Sequence, residues 1–427
     1  MTTAVFKRAD RKSRSKVPWS GFLPRVLIVG GPDVDARLEL IHSIKDTFEI
    51  QVLGSSRELN EKFSAHGFEY QSFRLSRRAA AASDVMALTE LVRILRYLRP
   101  QVVHTFDTKP CVWGRIAARL AGVPIIVGTL PGLGSLYSSN NLSTRVFRSI
   151  YQPLQRLACQ CSDLTIFQNR DDAHQFISAG VVSGQKAMVV PGSGVCTDLL
   201  VPGRVSDSQK NQLRAELAIR PDQIVVTMVS RVIRSKGVLE FMAASRVVSQ
   251  FCRQVRFLLI GPEDPDSVDR LDLEQLNQLK QTVTWPGPSR DVPAILGISD
   301  IFVLPSAYKE GIPRVLLEAA SMALPIVTTN SSGCNEVVED GVNGFLVPVH
   351  DSHALSQAII RLVVQPKLRR QFGLISRQRA VERFDLKLIA AQIRSVYQEL
   401  LTQKGLLDAR DLAERQPTAL LSFKAHK

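Results

Sequence analysis

The stretch Arg25-Val-Leu-Ile-Val-Gly-Gly31 indicates the fold of this chain. Its aliphatic residues, most of them β-branched, lead into two glycines, which is typical of a buried parallel strand followed by a loop and a helix. The same pattern predicts strands at residues 50–53, 70–73, 102–104, 125–129 and 164–167, with helical periodicity at residues 84–98 and 113–120. Strands that alternate with helices in this way predict a doubly wound α/β domain.

A second domain is predicted beyond Val189-Val-Pro-Gly-Ser-Gly194, where a strand end meets turn residues and the composition becomes polar. Strand patterns resume at residues 224–229, 257–260, 283–285, 301–304, 326–328 and 345–347 and alternate with helices. A chain of 427 residues with 45% hydrophobic content is also too long for one compact core. We therefore expect two doubly wound, Rossmann-like domains that face a cleft, with ligands at the carboxyl ends of the strands.

The predicted organisation has five parts. They are a basic disordered tail at residues 1–20, an N-terminal Rossmann-like domain at residues 21–203, a C-terminal Rossmann-like domain at residues 204–383, an amphipathic helix at residues 384–402 and a flexible tail at residues 403–427. The apolar positions of the helix include Leu388, Ala391, Val396 and Leu400. Ordinary packing is the simplest interpretation of this helix.

The net charge and the cysteines indicate which ligands and which cellular compartment suit this chain. Lys and Arg outnumber Asp and Glu by 54 to 40, and the net charge of +14 favours contact with phosphates, whether in nucleic acid, anionic lipid or a diphosphate substrate. The six cysteines include no C-x-x-C pair, which fits a reduced cytosolic compartment.

No long apolar stretch follows the basic N-terminus, so we expect neither a signal peptide nor a membrane span there. A solvated tail is favoured over a clamp for anionic lipid.

The segment with the most chemical information is Leu304-Pro-Ser-Ala-Tyr-Lys-Glu-Gly-Ile-Pro-Arg-Val-Leu-Leu-Glu-Ala-Ala-Ser-Met-Ala-Leu-Pro325. A buried strand is expected to end at its start, followed by a loop with Glu310 and by a helix that begins at Pro313. Gly311 permits a close backbone approach, and the free N–H groups of a first helical turn bind anions. We therefore predict a diphosphate site formed by Gly311, Ile312 and Pro313.

Two glutamates and a basic loop complete this predicted site. Glu310 lies in the loop and Glu318 in the helix, where carboxylates accept hydrogen bonds from sugar hydroxyl groups. Arg231 and Lys236 follow the strand predicted at residues 224–229, and cations at a strand's carboxyl end would neutralise a departing nucleoside diphosphate. Taken alone, each group also fits an ordinary solvated surface.

These residues form a pattern that resembles the retaining glycosyltransferases of family 4, which have the GT-B fold. The Glu-x7-Glu hallmark of the family lies within an ordered series: Leu304-Pro-Ser, Glu310-Gly-Ile-Pro, Glu318-Ala, Pro325-Ile-Val, Gly333 to Glu336 and Asp340-Gly-Val-Asn-Gly-Phe-Leu-Val-Pro348. The resemblance implies that Glu310, a catalytic candidate, contacts the donor sugar and that Glu318 contacts the ribose. It also implies that Arg231 and Lys236 hold the diphosphate, and that no cofactor takes part.

The N-terminal half resembles the subgroup that builds polysaccharides on undecaprenyl diphosphate. The matching segments are Pro100-Gln-Val-Val-His-Thr-Phe-Asp-Thr-Lys-Pro110, Gly114-Arg-Ile-Ala-Ala-Arg-Leu-Ala-Gly-Val-Pro124 and Pro131-Gly-Leu-Gly134. The resemblance implies that this half binds the acceptor, with His104 as a catalytic candidate near the reacting sugar, although a packing role is the alternative. Loops that line the cleft are expected at Gly30, Gly31, Gly132 and Gly134. The chain departs from the subgroup pattern at Phe106, Leu130-Pro131 and Cys196.

Together these features predict a retaining glycosyltransferase that moves a hexose or N-acetylhexosamine from a UDP-sugar to a polyprenyl-diphosphate-linked saccharide in cell-surface polysaccharide biosynthesis. The choice of UDP follows from the subgroup resemblance. No Asp-x-Asp motif stands at a suitable strand end, so we expect transfer without a metal ion. A nucleotide-sugar 2-epimerase of the same fold is the alternative function. Gly30-Gly31 lacks the spacing of a dinucleotide-binding loop, and the dispersed basic residues do not suit a nucleic-acid binder.

The expected location is cytoplasmic and peripheral, at the inner face of the plasma membrane. Arg145-Val-Phe-Arg-Ser-Ile-Tyr151, with Arg156 beyond it, places cations and apolar residues at helical spacing. Together with Arg74, Arg77 and Arg78, this segment would form a surface for anionic lipid. An ordinary helix with solvated arginines is the alternative interpretation.

Overall fold

The structure, a computed structural model, describes residues 23–76, 81–132, 134 and 142–407. Within these residues the N-terminal domain has a seven-stranded parallel sheet, formed by β1 Arg25–Val29, β2 Glu49–Gly54, β3 Glu69–Ser72, β4 Val102–Thr105, β5 Ile125–Leu130, β6 Leu164–Phe167 and β7 Ala187–Val189. The strand order is β3-β2-β1-β4-β5-β6-β7, so the winding reverses between β1 and β4. The helices described here are α1 Leu38–Ile44, α2 Leu59–Ala65, α3 Ala81–Leu98, α4 Thr108–Ala121, α5 Leu142–Cys161 and α6 Arg170–Ser178.

The C-terminal domain repeats this plan around a six-stranded parallel sheet. Its strands are β8 Ile224–Val229, β9 Val255–Ile260, β10 Thr284–Gly287, β11 Ile301–Leu304, β12 Ile326–Thr329 and β13 Gly344–Val347. Their order is β10-β9-β8-β11-β12-β13, with the reversal between β8 and β11. The helices are α7 Asp207–Glu216, α8 Val238–Phe251, α9 Leu273–Thr282, α10 Val292–Gly297, α11 Arg314–Ser321, α12 Cys334–Val337, α13 Ser352–Val364, α14 Pro366–Arg383 and α15 Leu386–Gln403.

The prediction of two doubly wound α/β domains is confirmed. Every strand predicted from the sequence is present, with ends that differ by at most two residues. Residues 26–29 in β1 are all 0% exposed, because helices cover both faces of the sheet. A strand buried on both faces reads as a continuous aliphatic run, and this is why the runs could be recognised without an alternating pattern.

The last helix, α15, packs on the N-terminal domain although it follows the C-terminal one. The N–H of Val195 donates to the Phe384 carbonyl oxygen, and the N–H of Leu386 donates to the Val195 carbonyl oxygen, both at 2.9 Å. The chain therefore returns beside the segment through which it left the N-terminal domain. The α15 residues buried in the N-terminal core are Leu386, Ile389, Ala390, Ile393, Val396, Tyr397 and Leu401.

This packing corrects the predicted apolar face of the helix. Leu388 and Ala391, which the sequence analysis placed on that face, are exposed, whereas Val396 is buried. The buried row instead repeats every three or four residues from Ile389, because that row meets α1 and the face of the N-terminal sheet.

None of the described helices is both long and apolar enough to cross a lipid bilayer. The tail predicted at residues 1–20 lies outside the described residues, as does most of the one predicted at residues 403–427.

Candidate active site

A loop of residues 305–313 connects β11 to α11 at the carboxyl edge of the C-terminal sheet. Within it, Glu310 Oε1 accepts hydrogen bonds from Lys236 Nζ at 2.6 Å and from Ser306 Oγ at 3.1 Å. Both charged side chains are largely buried, since 13% of Lys236 and 17% of Glu310 is exposed. The structure thus joins two of the predicted donor-site residues in an ion pair. A phosphate group that entered here would compete with the carboxylate for the ammonium group.

This ion pair depends on a close approach of two backbone segments. Gly237, which follows Lys236, has a φ of 79°, and an added Cβ would lie 2.1 Å from the Pro305 carbonyl oxygen. Any other residue would meet both strain and a clash at this position. The glycine therefore lets the loop after β8 lie directly on the loop after β11.

Arg231 also follows β8, but it has a different partner. Its Nη1 lies 2.6 Å from Oδ2 of Asp264, and its side chain is half exposed. Among the described residues, no hydrogen bond or ion pair joins Arg231 to Glu310 or to Lys236. The two cations predicted to hold one diphosphate thus lie on the same loop with separate acidic partners.

The start of α11 differs from the prediction in two respects. Pro313 is the residue before the helix, which begins at Arg314. The N–H of Gly311, which the sequence analysis treated as free for an anion, donates to the Pro131 carbonyl oxygen at 2.7 Å. The side chain of Ile312 is buried. Because the N-terminal domain occupies the Gly311 amide, the predicted contact of that group with diphosphate does not fit this structure.

Glu318 lies one turn into α11 and is paired with Arg314. Nε of Arg314 lies 3.0 Å from Oε1 of Glu318, and its Nη2 lies 2.6 Å from Oε1 of Glu39 in the N-terminal domain. Burial raises the pKa of the Glu318 carboxyl, and the charge of Arg314 offsets this effect only in part. Arg314 thus links the predicted ribose-binding carboxylate to the opposite domain. The sequence analysis missed Arg314, although its i, i+4 spacing to Glu318 signals a pair.

His104 lies in the core of the N-terminal domain and is 0% exposed. Its Nδ1 is hydrogen-bonded to the Tyr397 hydroxyl at 2.5 Å and its Nε2 to the Thr129 hydroxyl at 2.7 Å. Burial, assisted by the charge of Arg37, lowers the pKa of His104 to about 3. The imidazole is therefore neutral near pH 7 and has both nitrogens occupied. This position does not support the predicted role near the reacting sugar, and it agrees with the packing alternative.

The four glycines predicted to line the cleft fall into two groups. The N–H of Gly31 donates to Oδ2 of Asp107 at 2.8 Å, so an acidic side chain of its own domain occupies this amide. Gly30 precedes it, and its N–H donates to the carbonyl oxygen of Leu53. These two glycines shape the turn after β1.

Gly132 and Gly134 follow β5 in the N-terminal domain and contact the 305–313 loop of the C-terminal domain. An added Cβ on Gly132 would lie 2.5 Å from the Gly311 nitrogen, and Gly132 has a φ of 131°. The N–H of Gly134 donates to the Lys309 carbonyl oxygen at 2.9 Å. The segment after β5 therefore packs against the 305–313 loop of the other domain.

One further residue at this contact was missed. Asn169 lies two residues after the end of β6, and its side-chain amide reaches the 305–313 loop of the other domain. Polar residues at the carboxyl ends of parallel strands meet at one edge of the sheet. That rule, applied to the strand predicted at residues 164–167, would have singled out Asn169.

The basic surface predicted for anionic lipid is described only in part. Arg156 donates from Nε to the Gly180 carbonyl oxygen at 2.9 Å and from Nη2 to the Ala179 carbonyl oxygen at 3.2 Å, so it fastens the end of α6. Arg77 and Arg78 lie outside the described residues. The described residues also contain no group of three His, Cys, Asp or Glu side chains placed to hold a metal ion.

Known families match both domains. The "Glycosyl transferase 4-like" family matches residues 25–169, and the "Glycosyl transferases group 1" family matches residues 209–379. The first match covers strands β1 to β6 of the N-terminal sheet. The second match covers Lys236, Glu310 and Glu318.

Two relatives and one solved structure extend these matches. The UDP-Gal:alpha-D-GlcNAc-diphosphoundecaprenol alpha-1,3-galactosyltransferase of Escherichia coli is 28% identical over 332 residues, 77% of this chain and 83% of the relative. The N,N'-diacetylbacillosaminyl-diphospho-undecaprenol alpha-1,3-N-acetylgalactosaminyltransferase of Campylobacter jejuni is 27% identical over 369 residues, 86% of this chain and 95% of the relative. HepE of Anabaena, crystallised with UDP, has a TM-score of 0.72 at 22% identity, over 88% of this chain and 100% of HepE.

The fold and the cleft define an enzyme of the GT-B class of glycosyltransferases. This chain belongs to glycosyltransferase family 4, as its sequence motifs predicted. These two relatives, and the capsular polysaccharide biosynthesis glycosyltransferase CapM of Staphylococcus aureus at 25% identity over 77% of this chain and 84% of CapM, are transferases, and they do not favour the epimerase alternative.

Proposed function

We propose that this glycosyltransferase moves a hexose or N-acetylhexosamine from a UDP-sugar to a saccharide carried on a polyprenyl diphosphate, with retention of anomeric configuration and without a metal ion. The observation that carries the proposal is the largely buried pair of Lys236 and Glu310 at the carboxyl edge of the C-terminal sheet, with Glu318 one turn into the helix that follows. The relatives from E. coli and C. jejuni carry diphosphoundecaprenol acceptors in their names, and the E. coli name includes UDP-Gal.

The charges of the cleft suit the departure of a nucleoside diphosphate. Lys236 and Arg231 supply positive charge where the bond between the anomeric carbon and the diphosphate oxygen breaks and leaves its electron pair on that oxygen. Glu310 then accepts a hydrogen bond from a hydroxyl of the donor sugar, and Glu318 accepts one from the ribose. The cleft holds the acceptor hydroxyl close to the anomeric carbon, and the new glycosidic bond forms as this hydroxyl gives its proton to the departing diphosphate oxygen, which carries the electron pair.

A polyprenyl-linked acceptor would bring the enzyme to a membrane surface. We propose peripheral attachment at the cytoplasmic face of the plasma membrane, through basic residues of the N-terminal domain that include Arg74 and Arg148. Cosedimentation with vesicles of anionic lipid, compared with neutral vesicles, tests this point. Binding at low salt that weakens as salt is added supports it, and no binding at low salt contradicts it.

The donor site is tested by calorimetric titration with UDP and with GDP. We expect selective binding of UDP, and Glu318→Ala should weaken it by about tenfold, because one hydrogen bond to a charged group is lost. Glu216→Ala is the matched control, since Glu216 is exposed on α7. A folded wild-type protein that bound neither nucleotide would refute the proposed donor.

A further inference from the structure

Asn169 belongs to the N-terminal domain, but its side chain donates hydrogen bonds to backbone carbonyl groups of the C-terminal domain. It is 0% exposed and stands just before α6, where its Oδ1 accepts the N–H of Asp172 at 2.8 Å and so caps the helix. Its Nδ2 donates to the Gly311 carbonyl oxygen at 2.8 Å and to the Glu310 carbonyl oxygen at 3.1 Å. One side chain thus caps a helix of its own domain and holds the loop that carries Glu310.

The peptide group between Glu310 and Gly311 makes both of its hydrogen bonds to the N-terminal domain. Its carbonyl oxygen accepts from Asn169, and its N–H donates to the Pro131 carbonyl oxygen at 2.7 Å. An added Cβ on Gly311 would lie 2.1 Å from Oε1 of Gln168, so the approach leaves no room for a side chain. If the domains separated, this peptide would lose both partners at once.

The C-terminal domain supports the same contact from its other side. Ser332 donates from Oγ to Oδ1 of Asn169 at 3.2 Å and to Oδ1 of Asp172 at 3.0 Å. Asn169 Nδ2 also donates to Oδ2 of Asp172 at 2.9 Å. The amide of Asn169 is therefore held in one orientation by groups of both domains, and its direction toward the Glu310–Gly311 peptide is fixed.

We infer that Asn169 is a positioning residue for sugar transfer. It acts through the Glu310–Gly311 peptide, which sets the direction in which the Glu310 side chain leaves the backbone. The carboxylate is then aligned with the donor sugar only when the two domains are closed. This inference rests on the proposed function, in which Glu310 contacts the donor sugar. UDP itself would be held by C-terminal residues such as Glu318, so its binding does not require Asn169.

Asn169→Ser separates positioning from helix capping, because serine is also a good capping residue but lacks the Nδ2 donor. The transfer assay uses UDP-galactose as donor and N-acetylglucosaminyl-diphosphoundecaprenol as acceptor. We expect kcat to fall between about tenfold and a hundredfold, which is typical of a misplaced catalytic contact, while the Kd for UDP changes less than about twofold. Asn335→Ser is the matched control, since Asn335 Nδ2 also crosses between the domains, to Oδ2 of Asp171 at 3.2 Å, away from Glu310.

Hydrogen exchange gives a readout that does not depend on turnover. Exchange of the Gly311 amide should quicken in Asn169→Ser and stay unchanged in Asn335→Ser, because only the first variant loosens the peptide. If Asn169→Ser unfolds at a lower temperature than the wild type, Ser332→Ala is a milder test, because it removes only the hydrogen bonds that Ser332 donates to Asn169 and Asp172. Ser332→Ala should lower kcat a few-fold and speed hydrogen exchange of the Gly311 amide.

Unchanged kcat and unchanged Gly311 exchange in Asn169→Ser would overturn the inference, as would equal losses in the control. These outcomes differ from failure of the proposed function, which would show as no UDP binding by the wild type.

Discussion

The carboxyl edges of the two sheets have the same strand order around β1 and β8, yet they use their polar residues in opposite ways. In the C-terminal sheet, Lys236 and Glu310 keep a part of their surface open to the cleft. In the N-terminal sheet, His104 is enclosed and both of its nitrogens have partners inside the protein. A polar residue at a strand end is therefore a candidate for chemistry only if the next element leaves it uncovered.

The cover over His104 comes from a helix far along the chain. Tyr397 of α15 supplies the hydroxyl that meets Nδ1, at a separation of 293 residues. In the described part of the chain, Lys236 and Glu310 instead pair with each other, and the centre of the Tyr308 ring of the same domain lies 5.4 Å from Lys236 Nζ. The comparison predicts that variants on the C-terminal edge change the rate of transfer, whereas variants at His104 change stability.

The largest expected effect is that of Lys236→Ala on transfer. Loss of the ammonium group removes charge stabilisation from the departing diphosphate and leaves Glu310 without its partner, so kcat/KM should fall by about a hundredfold to a thousandfold. Steady-state rates of UDP release measure the change. Arg246→Ala on α8 serves as control, because Arg246 is exposed and pairs only with Gln278 among the described contacts. A decrease of less than threefold would remove Lys236 from the site.

A smaller effect, on stability instead of rate, is expected for His104→Leu. The variant leaves the hydroxyls of Thr129 and Tyr397 buried without their partner, which should lower the free energy of unfolding by about 3 kcal/mol. Denaturant titration measures this, and kcat of the folded variant should stay within about twofold of the wild type, because no contact with substrate is lost. A hundredfold loss of kcat in a stable variant would show that His104 acts in transfer.

The pKa of His104 adds a pH dependence to this prediction. The folded protein holds the imidazole neutral down to about pH 3, whereas the unfolded chain binds a proton near pH 6.5. The wild type should therefore lose stability, relative to His104→Leu, as the pH falls through this window.

The smallest effect is expected at the domain contact. Burial raises the pKa of Asp172 to about 6, although hydrogen bonds from Asn169 and Ser332 oppose the rise. In the unfolded chain an aspartate titrates near pH 4, so only the folded protein keeps this proton between about pH 4 and pH 6. Stability of the wild type relative to Asp172→Asn should therefore decrease as the pH rises through that window.

Thermal unfolding at several pH values tests this. A difference between wild type and Asp172→Asn that does not vary with pH would mean that the carboxyl is accessible to water and that the domains are apart in solution.

Much of the fold could be read from local pattern. The aliphatic run before Gly30 and its repeats located the strands, because strands covered on both faces need apolar side chains throughout. The residues of the Glu310 to Glu318 segment likewise lie together in the sequence, so their placement at one strand end followed directly. Of the four apolar positions named on α15, Leu388 and Ala391 are exposed whereas Val396 is buried, because only the docking partner decides which row is covered.

The sequence by itself determined the two-domain α/β architecture, the glycosyltransferase family and the position of Glu310 and Glu318 on one loop and helix. These are properties of short segments, whose periodicity and spacing carry the information. Only the tertiary structure decided that His104 is enclosed, that the Gly311 amide is taken by Pro131, and that Asn169 holds the peptide beside Glu310. Each of these contacts joins residues far apart in the chain, and their geometry follows from how the domains and α15 pack, which no local pattern encodes.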